Sequence, residues 1–254
     1  MATEAAAESA LGTYVYAIVR GETQHEYGKI GLEEADVRRI GDAELSALVS
    51  SIRRGRVRPE RRHLSAHNAV LKSALCEQAI LPLTFGMIAS SDQSVRRLLT
   101  QNRKLLREQL DQVEGKIEMG LRVTWDVPNV FEYFLSRHTE LRESRDAIGD
   151  FQRARHSDMV GLGQLFEQIQ RQERERLTES VSAVLVAHGV QVKAAPSRSE
   201  REVMNLSCLV SKQQQAAFEA MVSESASSFD SSYLFDISGP WAPHHFVELS
   251  LTMS

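Results

Sequence analysis

The sequence predicts an α+β fold in two domains, and three observations carry that reading. The chain has 254 residues, enough for one large domain or two small ones. The segment KIEMGLRVTWD (116–126) has the clearest strand signal, with Ile117, Met119, Leu121, Val123 and Trp125 alternating with polar residues or glycine. It opens a second series of elements that includes a helical pattern at about 157–188, the longest in the chain. The boundary therefore falls near 115–117. Residues 1–115 form an N-terminal α+β domain, with 1–11 as a disordered tail, and 116–254 form a C-terminal domain with a long helix and a tail strand.

The elements follow in order. TYVYAIVR (13–20) is apolar on both faces, Tyr14, Tyr16 and Ile18 against Val15, Ala17 and Val19, which marks a central strand covered on both sides. A polar loop at 22–31 precedes DVRRIG and ELSALVSSI, two strands that form a hairpin around Gly41-Asp42. Residues 60–79 are helical, with Leu64, His67, Leu71, Ala74, Leu75 and Gln78 on one face. ILPLTFG is a short strand whose Pro82 removes a ladder donor and argues for an edge or a strand start. Ser90 or Ser91 caps the next helix, with Gln93 as a capping-box partner of Ser90. Its stripe is Val95, Leu98, Leu99, Leu105, Leu106, Leu110 and Val113, and Gly115 stops it.

After the strand at 116 come a helix from about Pro128, a break near AIGDFQRARH, and the long helix ended by Gly189. The long helix has no apolar residue from Gln170 to Arg176, so this turn is expected to stand free of the core. REVMNLSCLVSK is a strand, Ser211 opens a helix with Ala217, Phe218, Met221 and Val222, and YLFDISG is a strand. GPW turns the chain into HHFVELSL, a possible last strand. The second half thus has the order of a split βαβ unit, as in ferredoxin-like sandwiches.

Composition limits the function classes. A net charge of −4 favours neither wholesale nucleic-acid binding nor an anionic membrane. No apolar run approaches the roughly 20 residues of a membrane helix. Cys76 and Cys208 form no CxxC, and both are expected to be small core residues in a reducing cytosol. No phosphate-binding, hydrolase or metalloprotease motif is present, and GLGQLF (161–166) lacks the third glycine and preceding strand of a dinucleotide loop.

Candidate sites are weighed one by one. His67 lies between Leu64 and Leu71 on an apolar helix face, where a general base could sit, but no nucleophile or carboxylate accompanies it at a telling spacing. A structural, hydrogen-bonded histidine is the favoured reading. His244 and His245 would point to opposite faces of a strand, and the further ligands of a zinc site are missing. RRGRVRPERRH holds arginines at 53, 54, 56, 58, 61 and 62 without an aromatic residue for base stacking. A solvated loop or a docking surface for an acidic protein is favoured over nucleic-acid binding. The residues give no assembled active site, no metal and no cofactor, which favours an interaction or assembly role.

Four stretches resemble the gas vesicle protein F/L family (GvpF/GvpL). They are TYVYAIVRG, HNAVLKSALCEQAILPLTFGMIASSDQSVRRLL, LDQVEGKIEMGLRVTWD and DISGPWAPHHFV, the last with Ala242 where the family commonly has proline. The resemblance spans about residues 12–250. It implies a non-enzymatic accessory protein of gas vesicle assembly, located in the cytoplasm and associated with gas vesicles. It implies two α+β domains, the second modified ferredoxin-like. The implied partners are the gas vesicle structural shell protein (GvpA-like) and other gas vesicle accessory proteins, with no nucleic acid and no membrane. The alternatives are a ligand-binding regulatory module of ferredoxin-like type and a weak nucleic-acid binder working through the arginine loop.

A shell protein made for a gas interface exposes apolar surface before assembly. A partner could shield it through a strand edge or an apolar groove. The expected contact is Leu81, Leu83 and Phe85 with the hairpin Val37–Val49, and Arg53, Arg54 and Arg56 supply orientation and on-rate.

Overall fold

The computed structural model describes residues 11–21, 26–53, 57–149 and 155–249. These fall into two compact units. One comprises the described residues up to Glu118 and from Pro240 onward, and the other comprises Met119–Gly239. The last stretch of chain therefore groups with the first unit, not with the residues that precede it.

In the first unit β1 (Leu11–Arg20) pairs antiparallel with β3 (Leu45–Arg53), and β3 pairs with β2 (Arg38–Gly41). The sheet order is β2-β3-β1-β4, with β4 (Ile80–Pro82) on one half of β1 and β5 (Ile88–Ala89) on the other. β1 is central and both its faces are buried, as its sequence predicts. Its alternation reverses part-way. The register with β3 shifts between Val15 and Ala17, so Ile18 joins Val15 on one face instead of Tyr14 and Tyr16 on the other.

On the Val15–Ile18 face lie α2 (Asp92–Gln101) and α3 (Arg103–Val113), with Val95, Leu98, Leu99, Leu106, Leu110 and Val113 in the core. The sequence stripe reads as one helix, but Asn102 at φ −108 and ψ 13 breaks it in two. Ser91 is the cap, accepting from the Ser94 N–H at 3.2 Å. The β2–β3 turn is held by Asp42, which accepts from the N–H groups of Glu44 and Leu45 at 2.9 Å each and pairs with Arg103. Those two backbone bonds and the arginine hold the Asp42 carboxyl down at about 2, the Leu45 N–H acting most strongly.

α1 (Arg61–Glu77) contacts β1 and β4 and buries His63, His67, Val70, Leu71, Ala74 and Leu75. Leu64, expected on this face, is exposed, and His63 takes the inward position one residue earlier. Residues 244–246, expected within a strand, form a short 3-10 turn, and Val247 and Leu249 then pack against the core beside α2 and α3. The approach WAPHH gives up the N–H at Pro243, and the turn replaces a ladder. The remainder of the expected tail strand, from Ser250, lies outside the described residues.

The second unit carries a sheet of order β7-β8-β6-β9, built from β6 (Lys116–Trp125), β7 (Gln191–Ala195), β8 (Glu202–Ser211) and β9 (Tyr233–Trp241). Between β6 and β7 come α4 (Val130–Arg137), α5 (Thr139–Ile148) and α6 (His156–Ala187), and between β8 and β9 comes α7 (Gln215–Ala226). This is the strand order of a split βαβ sandwich. β7 is not apparent in the sequence because its residues are mostly exposed, and the backbone pairing with β8 from Gln191–Leu209 to Ala195–Asn205 defines it instead.

The central turn of α6 does not stand free. Gln170 is buried and donates to the Glu200 carbonyl at 3.0 Å. Arg174 donates to the carbonyls of Glu202 at 2.8 Å, Glu200 at 2.8 Å and Ser199 at 3.2 Å, with its guanidinium over the Trp125 ring at 5.2 Å. Polar side chains pin a loop here, which an apolar periodicity cannot reveal.

Candidate interaction surface

The family-like stretch ILPLTFGMIA is an interrupted strand edge. Leu83 N–H donates to the Tyr16 carbonyl at 2.9 Å as the chain leaves β1, and Val15 N–H donates to the Met87 carbonyl at 2.9 Å as it returns. Between them Gly86 takes φ +91, a conformation that favours glycine, and no atom lies within 4 Å of where a Cβ would sit. The excursion is tied down by Tyr14, whose hydroxyl accepts from the Gly86 N–H at 3.0 Å.

Tyr14 in turn meets His67 Nδ1 at 3.0 Å, and the Phe85 ring stands edge-on to both rings at 6.1 and 5.6 Å. The Tyr14 hydroxyl can accept from Gly86 and share a hydrogen with Nδ1 in either direction, according to the imidazole tautomer; the other ring nitrogen is Nε2. That nitrogen is buried and has no hydrogen-bond partner among the described residues. Burial, and then the nearby His244, holds the His67 pKa down at about 4. The Leu83 carbonyl offsets a little of this but lies outside hydrogen-bond geometry. Burial pushes Tyr14 up to about 12. Tyr16 is raised for the same reason, and its hydroxyl bonds Ser50 at 2.7 Å and the Leu32 N–H at 2.8 Å. The neutral histidine and neutral tyrosines have no hydrogen-bonded carboxylate among the described residues and tie α1 to β1 and the Gly86 turn.

The residues expected to dock a partner are divided by this geometry. Leu81 pairs with Ile18 and, like Leu83, lies within the α2–α3 core, so neither side chain is offered to a partner. Phe85 is half-buried against Tyr14 and His67. Arg53 is exposed, and Arg54 and Arg56 lie outside the described residues. Of the cysteines, Cys208 is buried as expected but Cys76 is exposed, one step beyond the inward face of α1.

Accessible apolar surface occurs elsewhere in the first unit. A groove of about 510 Å³ runs between α1 and the segment Pro240–His245; the buried Leu71 and Leu75 lie at its floor, and Pro240 and Trp241 form an apolar wall. Trp241 is 50% exposed, whereas the chain's other tryptophan, Trp125, is 1% exposed. Glu118 lies in the groove at 5% exposure, accepting from the His245 N–H at 3.0 Å and bonded to His245 Nδ1 at 2.6 Å. This clasp fixes the segment that carries Trp241. Sequence reading treats Glu118 as a residue of the polar strand face and GPW as a turn, since neither the clasp nor the exposure has a local signature. No group of three or more metal-ligating side chains occurs among the described residues.

Residues 12–248 match the family of gas vesicle synthesis proteins GvpL/GvpF. The chain belongs to that family. Gas vesicle protein F of Streptomyces sp. (strain CB03234) is 29% identical over 245 residues, covering 94% of this chain and 100% of that protein. Gas vesicle protein L of the same organism is 25% identical over 201 residues, covering 73% and 68%. The crystal structure of GvpF from Anabaena sp. PCC7120 superimposes with a TM-score of 0.81 at 22% identity, covering 94% of this chain and 99% of that one. The chain thus shares the GvpF fold, and membership of the GvpL/GvpF family gives it a role in gas vesicle formation. No described helix is long and apolar enough to cross a membrane.

Proposed function

We propose that the protein acts as a cytoplasmic, non-enzymatic assembly factor that binds the hydrophobic shell subunit of the gas vesicle, together with other accessory proteins, during nucleation or growth. The observation that carries this reading is the apolar groove beside α1, with its half-exposed Trp241 held in place by Glu118 and His245. A shell subunit is apolar on the face it will present to gas, and before assembly that face needs cover. Exposed Arg53 at the end of β3, with Arg54 and Arg56 next in the sequence, orients the encounter more than it holds the complex.

Deletion of the gene followed by electron microscopy tests the role. Cells lacking this chain and any second family member are expected to form no vesicles or only stunted ones, and re-expression restores them. Normal vesicles in such cells would overturn the reading.

A further inference from the structure

We infer that the groove along α1 receives a short amphipathic helix carrying a carboxylate opposite Lys72. This rests on the reading that the chain binds an apolar assembly partner, and it specifies what part of that partner enters.

The floor of the groove is itself a helix. Its backbone groups are bonded within α1, so it offers no row of donors and acceptors to an added strand. A helix, which satisfies its own backbone, needs only side-chain contact. Ser65 and Ala69, one turn apart, line this groove and also the adjoining cavity of about 680 Å³, so the ridge between the two is low and a second backbone can approach closely. From Ser65 to Leu75 the floor is about 15 Å long, room for about three turns. Trp241 and Pro240 form the opposite wall, and an indole that is half-exposed gains the most from being covered.

Charge selects the occupant further. Lys72 lines the groove, is exposed, and forms no ion pair among the described residues. The carboxylate of the groove, Glu118, is already bound to His245. In the adjoining cavity Arg62 is paired with Glu60 at 2.9 Å, and Lys29 lies with Glu33 and Glu34. The charge left unmatched is therefore the Lys72 cation, and an apolar stripe interrupted by Asp or Glu complements it.

Trp241 supplies the readout. The full chain is titrated with synthetic peptides spanning each helical segment of the shell subunit, in native form and with carboxylates changed to amides. One native peptide is expected to shift the emission to the blue, and the shift is expected to vanish in Trp241→Phe, since Trp125 is already buried. Ala69→Trp, which fills the groove from an exposed position, abolishes binding. Lys72→Glu, also at an exposed position, weakens it about tenfold, as does the amide form of the peptide. Binding of the shell subunit that leaves Trp241 emission unchanged and ignores Ala69→Trp overturns the groove while sparing the partner reading. Failure of the whole subunit to bind overturns both. A blue shift that grows with the concentration of this chain alone, with a dimer in sedimentation that Ala69→Trp abolishes, makes a second copy the occupant and also overturns the proposal.

Discussion

At the scale of single residues, the first unit depends on a few buried polar atoms. His67 is neutral in the folded chain because burial depresses its pKa from 6.5 to about 4. An unfolded chain binds that proton more readily, so the stabilising contribution is complete above pH 6.5 and is lost as pH falls toward 4. The slope approaches about 1.4 kcal/mol per pH unit. Urea unfolding between pH 7.5 and 4.5 is expected to show this loss, and His67→Gln is expected to remove that part of the slope. An unchanged slope in the variant would show that another group carries it. Tyr14→Phe leaves the Gly86 N–H and His67 Nδ1 without their partner and is expected to cost about 1–3 kcal/mol in chemical denaturation. Gly86→Ala meets no atom but must hold φ +91, so it should cost about 1–3 kcal/mol from strain alone. The chemistry of the stretch from Ile80 to Ala89 is thus architectural: its glycine and Tyr14 shape the edge, and its leucines fill the core.

At the scale of elements, what was legible in the sequence follows the physics of each segment. β1, β3, β6 and β8 are buried on at least one face, and burial leaves a periodic record. β7 is exposed and β5 has two residues, so backbone pairing makes them and no pattern announces them. The β-bulge in β1 reverses a face that strict alternation assigns wrongly, at Ile18. The turn of α6 from Gln170 to Arg176 reads as solvated because polar residues carry no sign of what they bond. Its anchoring is measurable. Arg174→Ala removes donors to three carbonyls and the contact over Trp125, and is expected to lower stability by about 1–3 kcal/mol. Arg171→Ala, on the exposed side of the same turn, should stay within about 0.5 kcal/mol. Equal effects in thermal melts would contradict the anchoring. The burial of Leu81 and Leu83, expected at a docking edge, has a related cause: an edge strand can still have its side chains in the core, and sequence shows only that they are apolar.

At the scale of the whole molecule, the function comes from the family and the surface comes from the fold. No group of three or more metal-ligating side chains occurs among the described residues of either unit. The first unit displays an apolar groove that a buried carboxylate–histidine clasp keeps in shape. Glu118→Gln weakens that clasp, so it is expected to reduce partner binding while leaving the fold, followed by circular dichroism, in place. The most direct measurement of the central claim is the aggregation of purified shell subunit, followed by light scattering after dilution from denaturant, with and without the full chain. The account predicts that a stoichiometric amount of the chain suppresses scattering and co-elutes with the subunit, and that Ala69→Trp does neither. Scattering that rises equally fast with and without the chain, with no co-elution, would contradict it.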